Sequence, residues 1–246
     1  MKHPNKKACE MSVAELASYI DYSVLKPEFT EQEIIDLTKD GVKLGCATIC
    51  INPGYMDLCS PLVKGSITKL CPVCDFPFGN SSTESKVAQA KILCKYDTIG
   101  EIDIVANFGW IRSGKYDAVT ADIKAVVDVC HEAGYPVKVI FETDALTEEQ
   151  VRKTCECCME AGADFVKTST GFSDKGATVE DILLMKQTVG NEVHVKASGG
   201  IRDAATFKAM VAHGAERIGT SAGVSIIAEF KKEADEEGYI YIEEKY

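Results

Sequence analysis

Short apolar runs alternate with amphipathic stretches along the chain. The runs cover residues 18–20, 46–51, 70–76, 102–106, 137–141, 165–168, 193–197 and 217–220. Their starts lie roughly 23–35 residues apart, the length of one strand–helix unit. They are near-continuously apolar rather than alternating, as parallel strands covered by helices are. Between them, Val119, Ile123, Val126, Val127 and Cys130 recur at the spacing of one helical face. Thr30 with Glu33 and Thr147 with Gln150 read as capping boxes that open two helices. Gly41, Gly45, Gly134, Gly162 and Gly214 fall near helix ends or in the loops into the next strand.

Eight such units predict an α/β fold, a closed (β/α)8 barrel. A doubly wound open sheet is the alternative; it usually has fewer strands and a GxGxxG nucleotide fingerprint, and the sequence has no such motif. No linker or composition shift divides the chain, so residues 1–246 are expected to form one domain. A short helix is expected before strand one, and a mobile tail over about 235–246.

Composition narrows the function. The net charge of −11 argues against a general nucleic-acid binder, which needs a basic face. It leaves room for a small anionic substrate held by backbone amides and one or two lysines. No run approaches 18 apolar residues, so no membrane span is expected, and the N-terminus lacks the apolar stretch of a signal peptide. Eleven cysteines then point to a reducing, cytoplasmic compartment rather than a disulfide framework.

Four strands carry a charge where an apolar residue is expected: Asp103, Lys138, Lys167 and Lys196. One strand lysine alone would read as snorkelling to solvent. Lys167 and Lys196 differ, because they sit on neighbouring strands six and seven, each just before a Ser/Thr/Gly-rich loop. Two ammonium groups so close repel, and loss of one proton yields the neutral amine that attacks a carbonyl. Asp103 on strand four can hold the other lysine charged and pass protons through water. Lys138 reads as an interior charge partner for Asp103 or Glu142.

The loop after strand seven is Ser198-Gly199-Gly200-Ile201, and strand eight ends in Gly219-Thr220-Ser221-Ala222-Gly223. Loops after strands seven and eight, each running into a helix N-terminus, form the usual phosphate cradle of this fold. Thr170-Gly171 after strand six is expected to add another donor. Cys71 and Cys74 have CxxC spacing but lie within a strand, and most cysteines read as core packing. His3, His131, His194 and His213 are scattered and form no metal-binding pair, so neither a metal nor an organic cofactor is expected.

The segments YIDYSVLKP (19–27), CATICINPGY (46–55), VCDFPFG (73–79), EIDIVAN (101–107), VKVIFET (137–143), FVKTSTGF (165–172), VKASGGIR (195–202) and RIGTSAG (217–223) resemble the deoxyribose-phosphate aldolases. The resemblance implies a lyase on a (β/α)8 barrel that cleaves 2-deoxy-D-ribose 5-phosphate reversibly to glyceraldehyde 3-phosphate and acetaldehyde. It makes Lys167 similar to the Schiff-base lysine, Lys196 to the lysine that lowers its pKa, and Asp103 to the partner in proton transfer. Gly171, Gly199, Gly200, Gly219 and Ser221 resemble phosphate-binding positions; Cys50 and Asp21 resemble substrate-side residues of strands two and one. Where the family commonly has Asp-His, this chain has Asp21-Tyr22. Tyr246 resembles the terminal tyrosine of the family's mobile tail, a candidate for proton transfer, with an inert terminus as the alternative. A homo-oligomer is expected, a dimer first. Rival readings are a transaldolase-like Schiff-base enzyme, a phosphosugar sensor without catalysis, and a redox or metal role for the cysteines.

Overall fold

The computed structural model describes residues 10–246; His3 therefore lies outside the described residues. Its strands are β1 (Ile20–Val24), β2 (Thr48–Ile51), β3 (Lys69–Cys74), β4 (Ile102–Val105), β5 (Val137–Ile140), β6 (Phe165–Lys167), β7 (His194–Ser198) and β8 (Arg217–Thr220). The helices are α1 (Val13–Ala17), α2 (Glu31–Leu44), α3 (Met56–Val63), α4 (Thr83–Leu93), α5 (Phe108–Arg112), α6 (Tyr116–Glu132), α7 (Glu148–Ala161), α8 (Val179–Val189), α9 (Ala204–Ala212) and α10 (Gly223–Glu237). Among the described residues the eight strands pair in sequence order, all parallel, and β8 closes on β1 through Ile20–Ile218 and Asp21–Gly219. This is the closed barrel that the periodicity predicts.

Both capping boxes form: the Thr30 and Thr147 side chains accept from the amides of Glu33 and Gln150, which reach back to the cap. Gly45 and Gly162 take the left-handed conformation just past α2 and α7. The first strand lies further along than the apolar run at 18–20 suggests. It begins at Ile20 and runs through Asp21, Tyr22 and Ser23, polar residues that conceal it from an apolar-run search.

Gly41 lies in the last turn of α2, near the helix end as expected, and has a packing role besides. A Cβ there would run into Ile49 and come within 2.9 Å of the Tyr22 ring, whose other edge meets Gly223 of α10. The two glycines thus make room for Tyr22, which points outward to the helices while its neighbour Asp21 points into the barrel. Gly41→Ala should gain helix propensity yet lose about 1–3 kcal/mol net through overpacking. A urea midpoint above that of the parent protein would show that α2 can simply move away.

The large aliphatic core lies between the strands and the helices. Inside the barrel the apolar filling is small: Leu25, Cys50, Cys71 and Val73, with Phe76 at the edge. The rest of that interior is charged. At the C-terminus α10 continues to Glu237, Ile240 pairs with Met11 in an antiparallel bridge, and Ile240 and Ile242 are buried.

Candidate active site

Strand alternation explains why seven ionisable groups share the barrel interior. Asp21, Glu101, Asp103, Lys138, Lys167, Lys196 and Arg217 come from six strands or the residue just before one, and each is at least 98% buried. Register places them side by side: Asp103 pairs with Lys138, Lys167 with Lys196, and Lys196 with Arg217. Buried charges persist only when paired.

Asp103 is the hub. Its Oδ2 accepts from Lys167 Nζ at 2.7 Å and from Lys196 Nζ at 2.8 Å, while Oδ1 accepts from Lys138 Nζ at 2.8 Å. The two lysines of strands six and seven therefore meet on one carboxylate oxygen, on the same side of the barrel wall. Lys196 also contacts Asp21 Oδ2 at 2.5 Å. Lys138 reaches Glu101 at 2.7 Å and Asp21 at 3.3 Å. Arg217 forks onto both Glu101 oxygens, at 2.6 and 3.0 Å, and reaches Asp21 Oδ1 at 2.7 Å. Of the four cations, Lys167 has the fewest carboxylate contacts, and it alone lines the cavity described below.

Burial opposes every one of these charges, and the partners outweigh it. Asp103 stays well below the usual carboxylate range because Lys138, Lys167 and Lys196 overcome its desolvation. Arg217, Lys138 and Lys196 do the same for Asp21, and Lys138 with Arg217 for Glu101. Lys138 and Lys196 are held above the ordinary lysine value, against their own burial, by Asp103 and Asp21.

The linkage to stability has a definite sign. The three carboxylates have lowered folded values, so their contribution is complete above the unfolded values and is lost as pH falls. The two lysines have raised values, so theirs is lost only as pH rises past the unfolded lysine value of 10.5. Unfolding free energy from urea titrations should be flat between roughly pH 5 and pH 9 and fall on the acid side. A maximum near pH 3 would contradict the network.

Above the network lies a cavity of 350 Å³ at the C-terminal mouth of the barrel. Lys167 and Ser198 stand at its inner end, and Gly171, Gly199, Gly200, Gly219 and Ser221 form a wall. Gly199 and Gly200 have φ of 84° and 77°, so they turn backbone toward the space with no side chain in the way. Gly219 is fixed by packing: a Cβ there would come within 2.8 Å of Ser198 Cβ and 3.2 Å of Lys196 Cε. The N-terminus of α10, which has no side-chain cap, follows the loop after β8, so its unpaired amides favour an anion; the amides that open α9 are already taken by Asp203 and Glu229. Lys26 and Arg202 also line the cavity.

Of the expected site residues, the structure brings Lys167, Lys196, Asp103, Asp21 and Cys50 into the barrel centre and the four glycines and Ser221 to its mouth. Tyr246 is not brought there. Its ring packs beside Lys186 Nζ, and Lys186 pairs with Glu216 just before β8. Lys245 N donates to Ala212 O at the end of α9. The C-terminus thus rests at the N-terminal end of the barrel, opposite the cavity.

Lys138 pairs with Asp103 but not with Glu142, whose carboxylate instead accepts from the Thr170 hydroxyl. Glu101, Arg217 and Cys71 also belong to this centre, beyond the residues expected from sequence. Glu101 stands two residues before Asp103, and Arg217 two before Gly219, so same-face spacing could have found both. Cys71 Sγ donates to Asp103 Oδ1 at 3.1 Å and is no mere core filler.

Residues 16–230 match the model of the DeoC/LacD family aldolases. The chain is 46% identical over 217 residues to a deoxyribose-phosphate aldolase of Desulfitobacterium hafniense, covering 88% of this chain and 99% of that one. A solved structure described as "QR15, an Aldolase" superposes with a TM-score of 0.85 at 40% identity, covering 91% of this chain and 99% of that one. The deoxyribose phosphate aldolase of Aeropyrum pernix, described as a tetramer, superposes at 0.83 with 31% identity, covering 89% and 92%.

Proposed function

The chain belongs to the DeoC/LacD aldolase family, and from that premise we propose that it cleaves 2-deoxy-D-ribose 5-phosphate reversibly to D-glyceraldehyde 3-phosphate and acetaldehyde. One observation carries the reading: Lys167 shares a carboxylate oxygen with Lys196 at the inner end of a cavity whose wall is a glycine-rich anion cradle.

Charge balance supplies the nucleophile. Lys138, Lys196 and Arg217 face Asp21, Glu101 and Asp103, three against three in a dry interior, and Lys167 is the further amine, in contact with Asp103 and at the cavity. The neutral amine attacks C1 of the open-chain sugar, and loss of water leaves an iminium. That cation withdraws electrons from C2, so removal of the C3 hydroxyl proton breaks the C2–C3 bond and releases glyceraldehyde 3-phosphate. Asp103 and Lys196 pass protons through water, first from the hydroxyl and then to the terminal carbon of the enamine. Hydrolysis frees acetaldehyde and returns the amine. Gly171, Gly199, Gly200, Gly219 and Ser221 hold the phosphate, with Lys26 and Arg202 adding positive charge at the mouth. Anchoring the far end keeps the reacting carbons in register. This chemistry needs no metal or organic cofactor.

Among the described residues no helix is long and apolar enough to cross a membrane. A cytoplasmic place of work and a homo-oligomer, a dimer in the simplest case, accompany the reading; the cysteine-rich composition supports the first and the oligomeric relative the second.

The test is reduction with sodium borohydride in the presence of 2-deoxy-D-ribose 5-phosphate, followed by peptide mass spectrometry. A reduced adduct should appear at Lys167. No adduct, or one confined to another lysine, would dispose of the mechanism.

A further inference from the structure

The aldol chemistry leaves two thiols unused at the barrel centre. Cys50 on β2 and Cys71 on β3 are register partners, and both are free and buried. Parallel neighbours run about 4.8 Å apart, so in-register side chains on one face lie against each other. Here both point inward, and their Sγ atoms and a carboxylate oxygen of Asp103 all lie within 4.8 Å of one another. Lys138 Nζ sits 3.1 Å from the Cys71 sulfur and Lys196 Nζ 3.7 Å from the Cys50 sulfur. Leu25 belongs to the same small apolar cluster as the two cysteines and also lines the cavity. The sulfurs thus lie just behind Lys167 and Leu25, one layer below the open space.

The geometry points to a site for one soft, thiophilic dication of the zinc and cadmium class, held by Cys50, Cys71 and Asp103, whose occupation switches the enzyme off. Thiolates select such ions over hard ones. Tetrahedral coordination with metal–sulfur bonds near 2.3 Å places two sulfurs about 3.8 Å apart, inside the 4.8 Å that bounds the ligand atoms here. On binding, two S–H bonds break, two metal–sulfur bonds form, and the two protons leave to solvent without any redox change. The dication replaces two protons, so the charge of a centre already crowded with ammonium groups does not rise. Magnesium gains nothing comparable, because it requires six oxygen ligands. The ion takes the carboxylate that Lys167 and Lys196 share, which removes the proton carrier and strips both lysines of their common partner.

The test uses the reduced, chelator-treated full chain and cadmium chloride alone. Binding is read from the thiolate-to-cadmium charge-transfer band and function from borohydride trapping and turnover. The binding arm does not depend on the substrate being deoxyribose phosphate. One equivalent of cadmium should raise the band and abolish trapping together, and a chelator should restore both. Cys71→Ser should need at least about tenfold more cadmium for half-inhibition, relative to its own metal-free activity, since loss of a mere supporting contact costs that much. Cys50→Ser is the second variant, should Cys71→Ser fold poorly, and Cys157→Ser on α7 should respond as the parent does. Equal inhibition of the parent and both site variants, loss of inhibition in Cys157→Ser, or a saturated band with undiminished trapping would each overturn the site.

Discussion

Lys167→Ala is expected to lower kcat for sugar-phosphate cleavage by about 10⁴-fold or more, the scale seen when a covalent nucleophile is removed. The same substitution should leave the melting temperature nearly unchanged. The contrast follows from the charge count at the barrel centre. Four cations meet three carboxylates there, and Lys167 contacts Asp103 alone. Removing it leaves Lys138, Lys196 and Arg217 opposite Asp21, Glu101 and Asp103, with every carboxylate still paired. Lys196→Met should behave differently. It strips a partner from both Asp21 and Asp103, so it should reduce turnover and melting temperature together. Turnover is measured by following glyceraldehyde 3-phosphate through its dehydrogenase, and stability by thermal unfolding. A Lys167→Ala protein that splits the sugar at the parent's rate ends the Schiff-base reading, whatever its stability.

That asymmetry between two neighbouring lysines is what the sequence could not supply. Strand phase shows that both occur at polar-exception positions on adjacent strands, which is enough to expect them together. It does not show how many carboxylates each one reaches, because Asp21 lay hidden in a strand whose polar residues broke the apolar run. Glu101 was hidden in another way: it falls one residue before β4 and looks like a loop acid. Arg217 opens β8, where a long cation ordinarily faces solvent at the barrel's end. Here it turns inward and stacks over the Phe165 ring, 5.3 Å from its centroid. The phosphate cradle was far more legible, since its requirement is a backbone one. Glycines that permit close approach announce themselves by identity and position, whereas a buried ion pair is defined only by the fold that closes on it. Tyr246 shows the opposite limit. A terminal residue carries no periodic signal, and its place beside Lys186 depends on how residues 238–246 pack across the N-terminal end of the barrel.

Arg217→Met should cost about 3–5 kcal/mol of stability, the range for removing one partner of a buried ion pair. Methionine roughly preserves the apolar stem, so the loss isolates the charge. The guanidinium is 2% exposed and gives hydrogen bonds to both Glu101 oxygens and to Asp21. Without it, Lys138 becomes the remaining cation in contact with Glu101, and it already divides itself among Asp21, Glu101 and Asp103. Asp21 keeps Lys196 as well, so Glu101 bears most of the deficit. For a chain of this size the change corresponds to a fall in melting temperature of roughly 6–20 °C. Glu101→Gln in the Arg217→Met background removes the stranded charge and should recover part of the loss, a coupling that two independent sites would not show. Borohydride trapping at low temperature should persist in both variants, because Arg217 and Glu101 touch neither Lys167 nor the cavity. An unchanged melting temperature in Arg217→Met would mean that water reaches Glu101 once the guanidinium is gone. The barrel centre would then be a hydrated pore, and the pairing of charges there would no longer set Lys167 apart from Lys138 and Lys196.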